Sequence, residues 1–231
     1  MEFTLKSITE GQLILVDKPL QITSFQVVNK IRWGLKSRYN LNKLKVGHAG
    51  TLDPLASGLL IICTGKMTKK INELQDLDKT YTGTITLGAT TASYDLETPI
   101  DEKFLINHLN EKSLIAATKK FKGEIDQYPP IYSAIKKKGK RLYEYARSGE
   151  KIQIDSRKVT IHYFDLKKIK LPDLNFEVKC SKGTYIRSLA NDFGKSVNSG
   201  GYLSSLRRTA VGSFKVENAL TPKELLKKLE L

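Results

Sequence analysis

Residues 47–65 read "GHAGTLDPLASGLLIICTG", and this stretch decides how the chain is read. Its first part packs Gly47, Gly50, Gly58 and Pro54 around one carboxylate, Asp53, and one imidazole, His48. Its second part is an apolar run bounded by glycines, the pattern of a central strand buried on both faces. Two readings of the loop stay open on residue type alone. Asp53 can cap a short helical turn with Pro54 at its first position. That accounts for Asp-Pro but leaves the clustered glycines without a purpose. Glycines permit positive φ and close approach by another backbone, so the same loop can hold Asp53 out toward a bulky ligand.

Outward from this stretch, "GQLILVDKP" predicts a short buried strand ended by Pro19. "TSFQVVNKIRWGL" predicts a helix with Thr23 or Ser24 as N-cap and Gly34 near its end. "KTYTGTITLGATT" alternates Tyr81, Gly83, Ile85 and Leu87 against threonines, a strand with one buried face. "DEKFLINHLNEKSLIAATKKFKG" predicts one or two helical segments closing at Gly123, with His108 inside them. "SRKVTIHYFDLKKIKL" and "NFEVKCSKGTYIRSLANDFG" predict two strands and a helix. "YLSSLRRTAVGSF" gives a last strand, and "TPKELLKKLEL" a terminal helix with Thr221 capping and Pro222 at its first position. Strands and helices mix without strict alternation, so the fold class is α+β with a mostly antiparallel sheet.

The chain has 231 residues, with 40% hydrophobic content, enough for a substantial core. The apolar runs fall far short of the roughly 20 residues that cross a bilayer. The start, "MEFTLKSITEG", lacks the layout of a secretory signal, and a cytoplasmic protein is expected. Cys63 and Cys180 lie in apolar or alternating runs and read as buried reduced thiols. Lys and Arg number 39 against 24 Asp and Glu, a formal net charge of +15. Such an excess suits a polyanionic partner or a solvated lysine surface. It is densest in "EIDQYPPIYSAIKKKGKRLYEYARSGEKIQI", where Lys136, Lys140 and Arg141 interleave with Tyr132, Tyr143 and Tyr145. A phosphate-binding P-loop fails on spacing, because six residues separate Gly58 from Gly65 where four are required. His48, His108 and His162 are scattered and neither cysteine has a partner at ligand spacing, so no metal site is expected.

Six segments in order resemble the TruB-type pseudouridine synthases, covering roughly residues 11 to 214. They are "LILVDKPLQITSF", "GHAGTLDPLASGLLIICTGK", "KTYTGTITLGATTASYDLETP", "PPIYSAIKKKGKRLYEYAR", "CSKGTYIRSLANDFG" and "YLSSLRRTAVGSF". The resemblance implies the pseudouridine synthase catalytic fold, a mixed and mostly antiparallel central sheet flanked by helices. It also implies a basic thumb insertion at about 124–154. Larger members continue into a small RNA-binding PUA module. Here the catalytic domain is expected over 1–214, followed by a short helical tail at 215–231.

The implied reaction detaches uracil from C1′ of a uridine, rotates it and reattaches it through C5. The resemblance points to position 55 in the TΨC loop of tRNA. The reaction is redox-neutral, so no cofactor is implied, and the T-arm of tRNA is the implied partner of a monomer. By resemblance Asp53 is the nucleophile, Arg187 its ion-pair partner and Tyr81 the ring that stacks on uracil. The target base has to be flipped out of its loop, with His48 intruding beside the vacated position. Lys18 and Lys66 match phosphate contacts near the flipped nucleotide, and Asp95 an acidic family position. Leu206 and Arg208 match residues packing near the base and RNA backbone. Tyr185, Lys136, Lys140, Arg141 and Tyr143 match RNA-gripping positions. A catalytically idle RNA-binding or RNA-chaperone protein, or the same chemistry on another RNA, are the competing readings.

Overall fold

The computed structural model describes residues 3–230. The outermost residues of the two expected segments, Met1, Glu2 and Leu231, lie outside the described residues. In chain order the elements are α1 (Leu5–Glu10), β1 (Leu13–Lys18), α2 (Ser24–Arg38), β2 (Val46–His48), β3 (Ala56–Thr64), α3 (Ile71–Asp76), β4 (Lys79–Leu87), β5 (Ala89–Thr91), β6 (Ile100–Lys103) and α4 (Glu111–Thr118). Then follow β7 (Gly123–Gln127), β8 (Lys136–Lys137), β9 (Lys140–Arg141), α5 (Leu142–Ser148), β10 (Arg157–Lys170), β11 (Asp173–Cys180), α6 (Ile186–Ser196), β12 (Gly201–Val211), β13 (Phe214–Lys215) and α7 (Pro222–Lys228). The fold is α+β, with a central sheet flanked by helices. The chain forms two compact units: Met1–Tyr81 with Arg207–Leu231, and Thr82–Leu206. Strands β4 and β12 each run from one unit into the other.

The first unit is organised by β3. It pairs antiparallel with β1, from Leu13 opposite Cys63 to Lys18 opposite Gly58. Its side chains alternate between two cores, as the period of a strand dictates. Leu60 and Ile62 join Ile14, Val16, Val27, Ile31 and Leu35. Leu59, Ile61 and Cys63 face Ala49, Val211 and Val216. Because both faces are covered, the strand reads as an unbroken apolar run. Full burial of each of its Leu and Ile side chains contributes about 1.5–3 kcal/mol.

Helix α2 starts as expected: the Thr23 hydroxyl accepts the Gln26 N–H while the Gln26 side chain reaches back to the Thr23 N–H. Helix α7 has its Thr221 cap and Pro222 at the start. Its Leu225 and Leu229 are buried in the core that contains α2, so the expected tail is an integral part of this unit. Helix α1, capped by Thr4 and Ser7, had no counterpart in the sequence reading.

In the second unit β11 pairs antiparallel with β10, and β10 with β7. Phe121, Phe164, Phe176 and Phe193 pack edge-on and tilted, with ring centroids 5.5–6.2 Å apart. Helix α6 crosses its neighbours closely at Gly194, where a Cβ would lie 2.3 Å from the Gly200 carbonyl carbon. The stretch expected as helical from residue 101 departs from that reading. Its first part is β6, paired with β5, and His108 lies in a turn before α4. The residues Ile-Asp-Glu-Lys of β6 are all exposed, so no alternation of burial marked them as a strand.

Candidate active site

The loop carrying Asp53 is held through its backbone at nearly every residue. Arg208, only 1% exposed, donates from Nη2 to the Gly50 carbonyl (3.0 Å), from Nη1 to that of Thr51 (3.5 Å) and from Nε to that of Leu59 (2.7 Å). Ser24, at the start of α2, accepts the Leu52 N–H at 2.8 Å and donates to the Leu52 carbonyl at 3.0 Å. The Gln21 N–H donates to the Pro54 carbonyl (2.8 Å), and the Ala56 N–H to that of Asp53 (3.1 Å). This last bond closes a four-residue β-turn with Pro54 at its second position. Asp53 is therefore the first residue of a turn that runs directly into β3, and no helix follows it. Gly58 has φ of +104°, and a Cβ there would lie 2.3 Å from the Arg208 carbonyl oxygen. The glycine lets β12 pass against the strand that the loop feeds.

Lys18 is completely buried. Its ammonium donates to the carbonyls of Pro19 and Ile22, both at 2.8 Å, within the turn that precedes α2. Burial pushes its pKa down to about 8, with the Asp53 carboxylate opposing that shift and the Arg208 guanidinium adding to it. The side chain is enclosed and its ammonium is committed to these two carbonyls, where the sequence reading expected a phosphate contact. It is an internal cation in the field of Asp53. Arg208 is likewise turned inward, with three of its five N–H groups on the protein's own carbonyls. The neighbouring Arg207 grips Asp17 as a two-point fork at 3.0 and 2.7 Å.

His48, at the end of β2, is half-buried, and its pKa is lowered by burial first and by Arg208 second, so the neutral imidazole is favoured. Lys66 is exposed in the 3₁₀ turn after β3, and Tyr81 lies in β4 at 8% exposure.

The second unit carries the remaining positions. Arg187, in the first turn of α6, is 4% exposed. Its Nη1 donates to the Ser93 carbonyl (3.1 Å), its Nη2 to that of Tyr132 (3.0 Å), and its Nε lies 3.6 Å from Asp95 Oδ2. Asp95 is itself buried, and its other carboxylate oxygen accepts the Glu97 N–H at 2.9 Å. Tyr185 caps α6 with the Arg157 guanidinium 4.5 Å from its ring centroid. Leu206 is half-buried in β12.

In the basic insertion, β8 and β9 form a hairpin turned by Lys138 (φ +50°) and Gly139 (φ +86°). Lys136, Lys140 and Arg141 are exposed on it. Tyr143 lies between Arg141 and Arg147, at 5.8 and 5.3 Å. Lys140 pairs with Glu150 at 3.1 Å. Tyr145 is buried with its hydroxyl donating to the Lys137 carbonyl, so it braces the hairpin and offers no stacking face.

Residues 36–186 match the family model described as TruB family pseudouridylate synthase (N terminal domain). The chain belongs to this family. It is therefore an isomerase, and its relatives agree over most of its length. It is 61% identical over 212 residues to the tRNA pseudouridine synthase B of Flavobacterium johnsoniae, covering 91% of this chain and 93% of that one. Against the protein of the same name from Phocaeicola vulgatus it is 48% identical, covering 92% and 90%. Among solved structures, a Cbf5-Nop10-Gar1 complex has a chain 31% identical with a TM-score of 0.70, covering 95% of this chain and 54% of that one. This TruB-family chain thus spans about half the length of that structural relative.

The depressed pKa of Lys18 gives this TruB-family protein a measurable pH dependence. In the folded state the ammonium deprotonates near pH 8, against 10.5 for a free lysine side chain. Below pH 8 the cost of burying the charge is fully present. Between pH 8 and 10.5 the unfolded chain binds more protons than the folded one, so stability rises with pH. Denaturant unfolding at pH 7.5 and 9.5 is expected to show this gain in the wild type and lose it in Lys18→Met. Equal pH slopes in the two proteins would exclude a strained buried ammonium.

Proposed function

We propose that this chain converts uridine to pseudouridine at position 55 in the TΨC loop of tRNA, with Asp53 as nucleophile. The observation that carries this reading is the pinned loop. Arg208, Ser24 and Gln21 fix the backbone on both sides of a partly exposed carboxylate, so its position is set before substrate arrives. The name shared by the Flavobacterium johnsoniae and Phocaeicola vulgatus relatives supports tRNA as the substrate.

In this reading the target nucleotide is flipped out at a cost of a few kcal/mol. The neutral imidazole of His48 enters the space it leaves, and the ring of Tyr81 stacks on the extruded uracil. Asp53 attacks while the C1′–N1 bond breaks, holding sugar or base during rotation. The C1′–C5 bond then forms as the bond to Asp53 breaks and frees the carboxylate, the proton on C5 is lost, and N1 takes up a proton, so atoms and electrons balance with no redox partner. Arg187 orients the carboxylate, and Asp95, paired to Arg187, holds that guanidinium in place. Leu206 packs beside the base. Lys66, Lys136, Lys140, Arg141, Tyr143 and Tyr185 hold the RNA backbone and its unpaired bases. The protein acts as a cytoplasmic monomer on the T-arm.

Tritium placed at uracil C5 tests the substrate directly. Release from a tRNA transcript is expected, with none when position 55 is cytidine. Release persisting from the substituted transcript would place the reaction at another uridine.

A further inference from the structure

Helix α2 has one face in the core and one that no described residue covers. Val27, Val28, Ile31 and Leu35 are buried, whereas Phe25 and Trp33 are 63% and 62% exposed. These two rings stand eight residues apart on one i, i+4 row, about 12 Å along the helix. Lys30 and Lys36 lie three residues before and after Trp33, on the same side; the first is exposed and the second half-exposed. Single exposed apolar side chains are ordinary, but two large rings aligned on one helix face and flanked by cations match the stacking-and-phosphate pattern of single-stranded nucleic-acid surfaces.

Residues 18–52 contain seven Lys and Arg and no Asp or Glu. Of these seven, Lys18 is buried, Arg38 pairs with Glu230 at 2.8 Å, and Lys30 and Lys36 are the cations beside the row. The helix is also tied to the catalytic loop, because Ser24 at its first position holds Leu52, the residue before Asp53. Phe25 therefore follows directly on the residue that holds the loop, and Trp33 lies further along the same helix.

We propose that the exposed row of α2 is a docking surface for the RNA strand that flanks the reacting uridine, with Lys30 and Lys36 on phosphates and Phe25 and Trp33 stacking on bases or riboses. The inference rests on the proposed RNA substrate. Charge and ring chemistry select the occupant: phosphates complement Lys30 and Lys36, and every base offers a face to an aromatic ring.

Trp33 is the single tryptophan of the chain, so emission excited at the red edge, where tyrosine does not absorb, reports this face alone. Titration of the wild type with a T-arm stem-loop is expected to change Trp33 emission and shield it from acrylamide. Trp33→Ala is expected to raise the RNA Kd roughly tenfold. Lys30→Gln with Lys36→Gln is expected to lower the slope of log affinity against log salt by about two. Lys227→Gln with Lys228→Gln, which removes two exposed charges from α7, is expected to keep the wild-type slope. Trp33 emission and quenching unchanged at saturating RNA would overturn the proposal. Shielding that grows with protein concentration without RNA would assign the face to a second copy, and shielding only by an acidic protein would assign it to a protein partner. Tritium release is measured on the same stem-loop. Its failure would count against the proposed substrate, whereas release with an unshielded Trp33 overturns the docking surface alone.

Discussion

Asp53→Asn is expected to lower tritium release from tRNA at least about a thousandfold, roughly 4 kcal/mol of barrier, while RNA binding is largely kept. The substitution is nearly isosteric, and the loop that carries it is fixed through carbonyls and amides of its neighbours, which the amide leaves untouched. What is lost is the nucleophile: a carboxylate oxygen forms and releases a bond to carbon, and a neutral carboxamide is a poor substitute. The two readouts separate the causes. A fall in release with unchanged affinity for the T-arm identifies a chemical role. A parallel loss of affinity would make Asp53 a binding residue, and substantial turnover by the variant would remove it from the mechanism altogether.

Arg187→Met is expected to destabilise the protein by about 3–5 kcal/mol, because it leaves the buried Asp95 carboxylate without its cation. Asp95 is 5% exposed and Arg187 4%, so water does not replace the missing charge. The carbonyls of Ser93 and Tyr132 lose a donor as well. For a chain of this size each kcal/mol corresponds to roughly 2–4 °C of melting temperature, so a drop on the order of 10 °C is expected in a thermal scan. The double variant Arg187→Met with Asp95→Leu is expected to recover much of that loss, since both members of the pair are then apolar. A double variant no more stable than the single one would show that the carbonyl contacts, and not the ion pair, hold α6 to the loop after β5.

Much of this architecture was legible because a local pattern mirrored a local cause. The apolar run of β3 is continuous because the strand faces two cores, and the caps of α2 and α7 act within one turn. The site was legible as residue types: Asp53, Tyr81 and Arg187 stand in motifs that resemble a known family. What escaped was burial and long-range backbone recognition. Lys18 and Lys66 look alike in a sequence, yet one is enclosed between two carbonyls and the other projects to solvent. Arg208 reaches Gly50 across 158 positions and Ser24 reaches Leu52 across 28, in both cases through main-chain atoms that leave no residue-specific trace. The turn at Pro54 was ambiguous for the opposite reason, since Asp-Pro opens a β-turn and a helix with the same two residues.

The placement of α7 also fixes an order of events during synthesis. The core that contains α2 is completed by Leu225 and Leu229, some 190 residues after Leu35, and at about 5–20 residues per second the ribosome needs roughly 10–40 s to deliver them. Residues 82–206, by contrast, are contiguous and form a compact unit of their own. The inserted unit is therefore free to fold on the nascent chain while the unit bearing Asp53 waits, its apolar faces open, for the last helix to leave the ribosome.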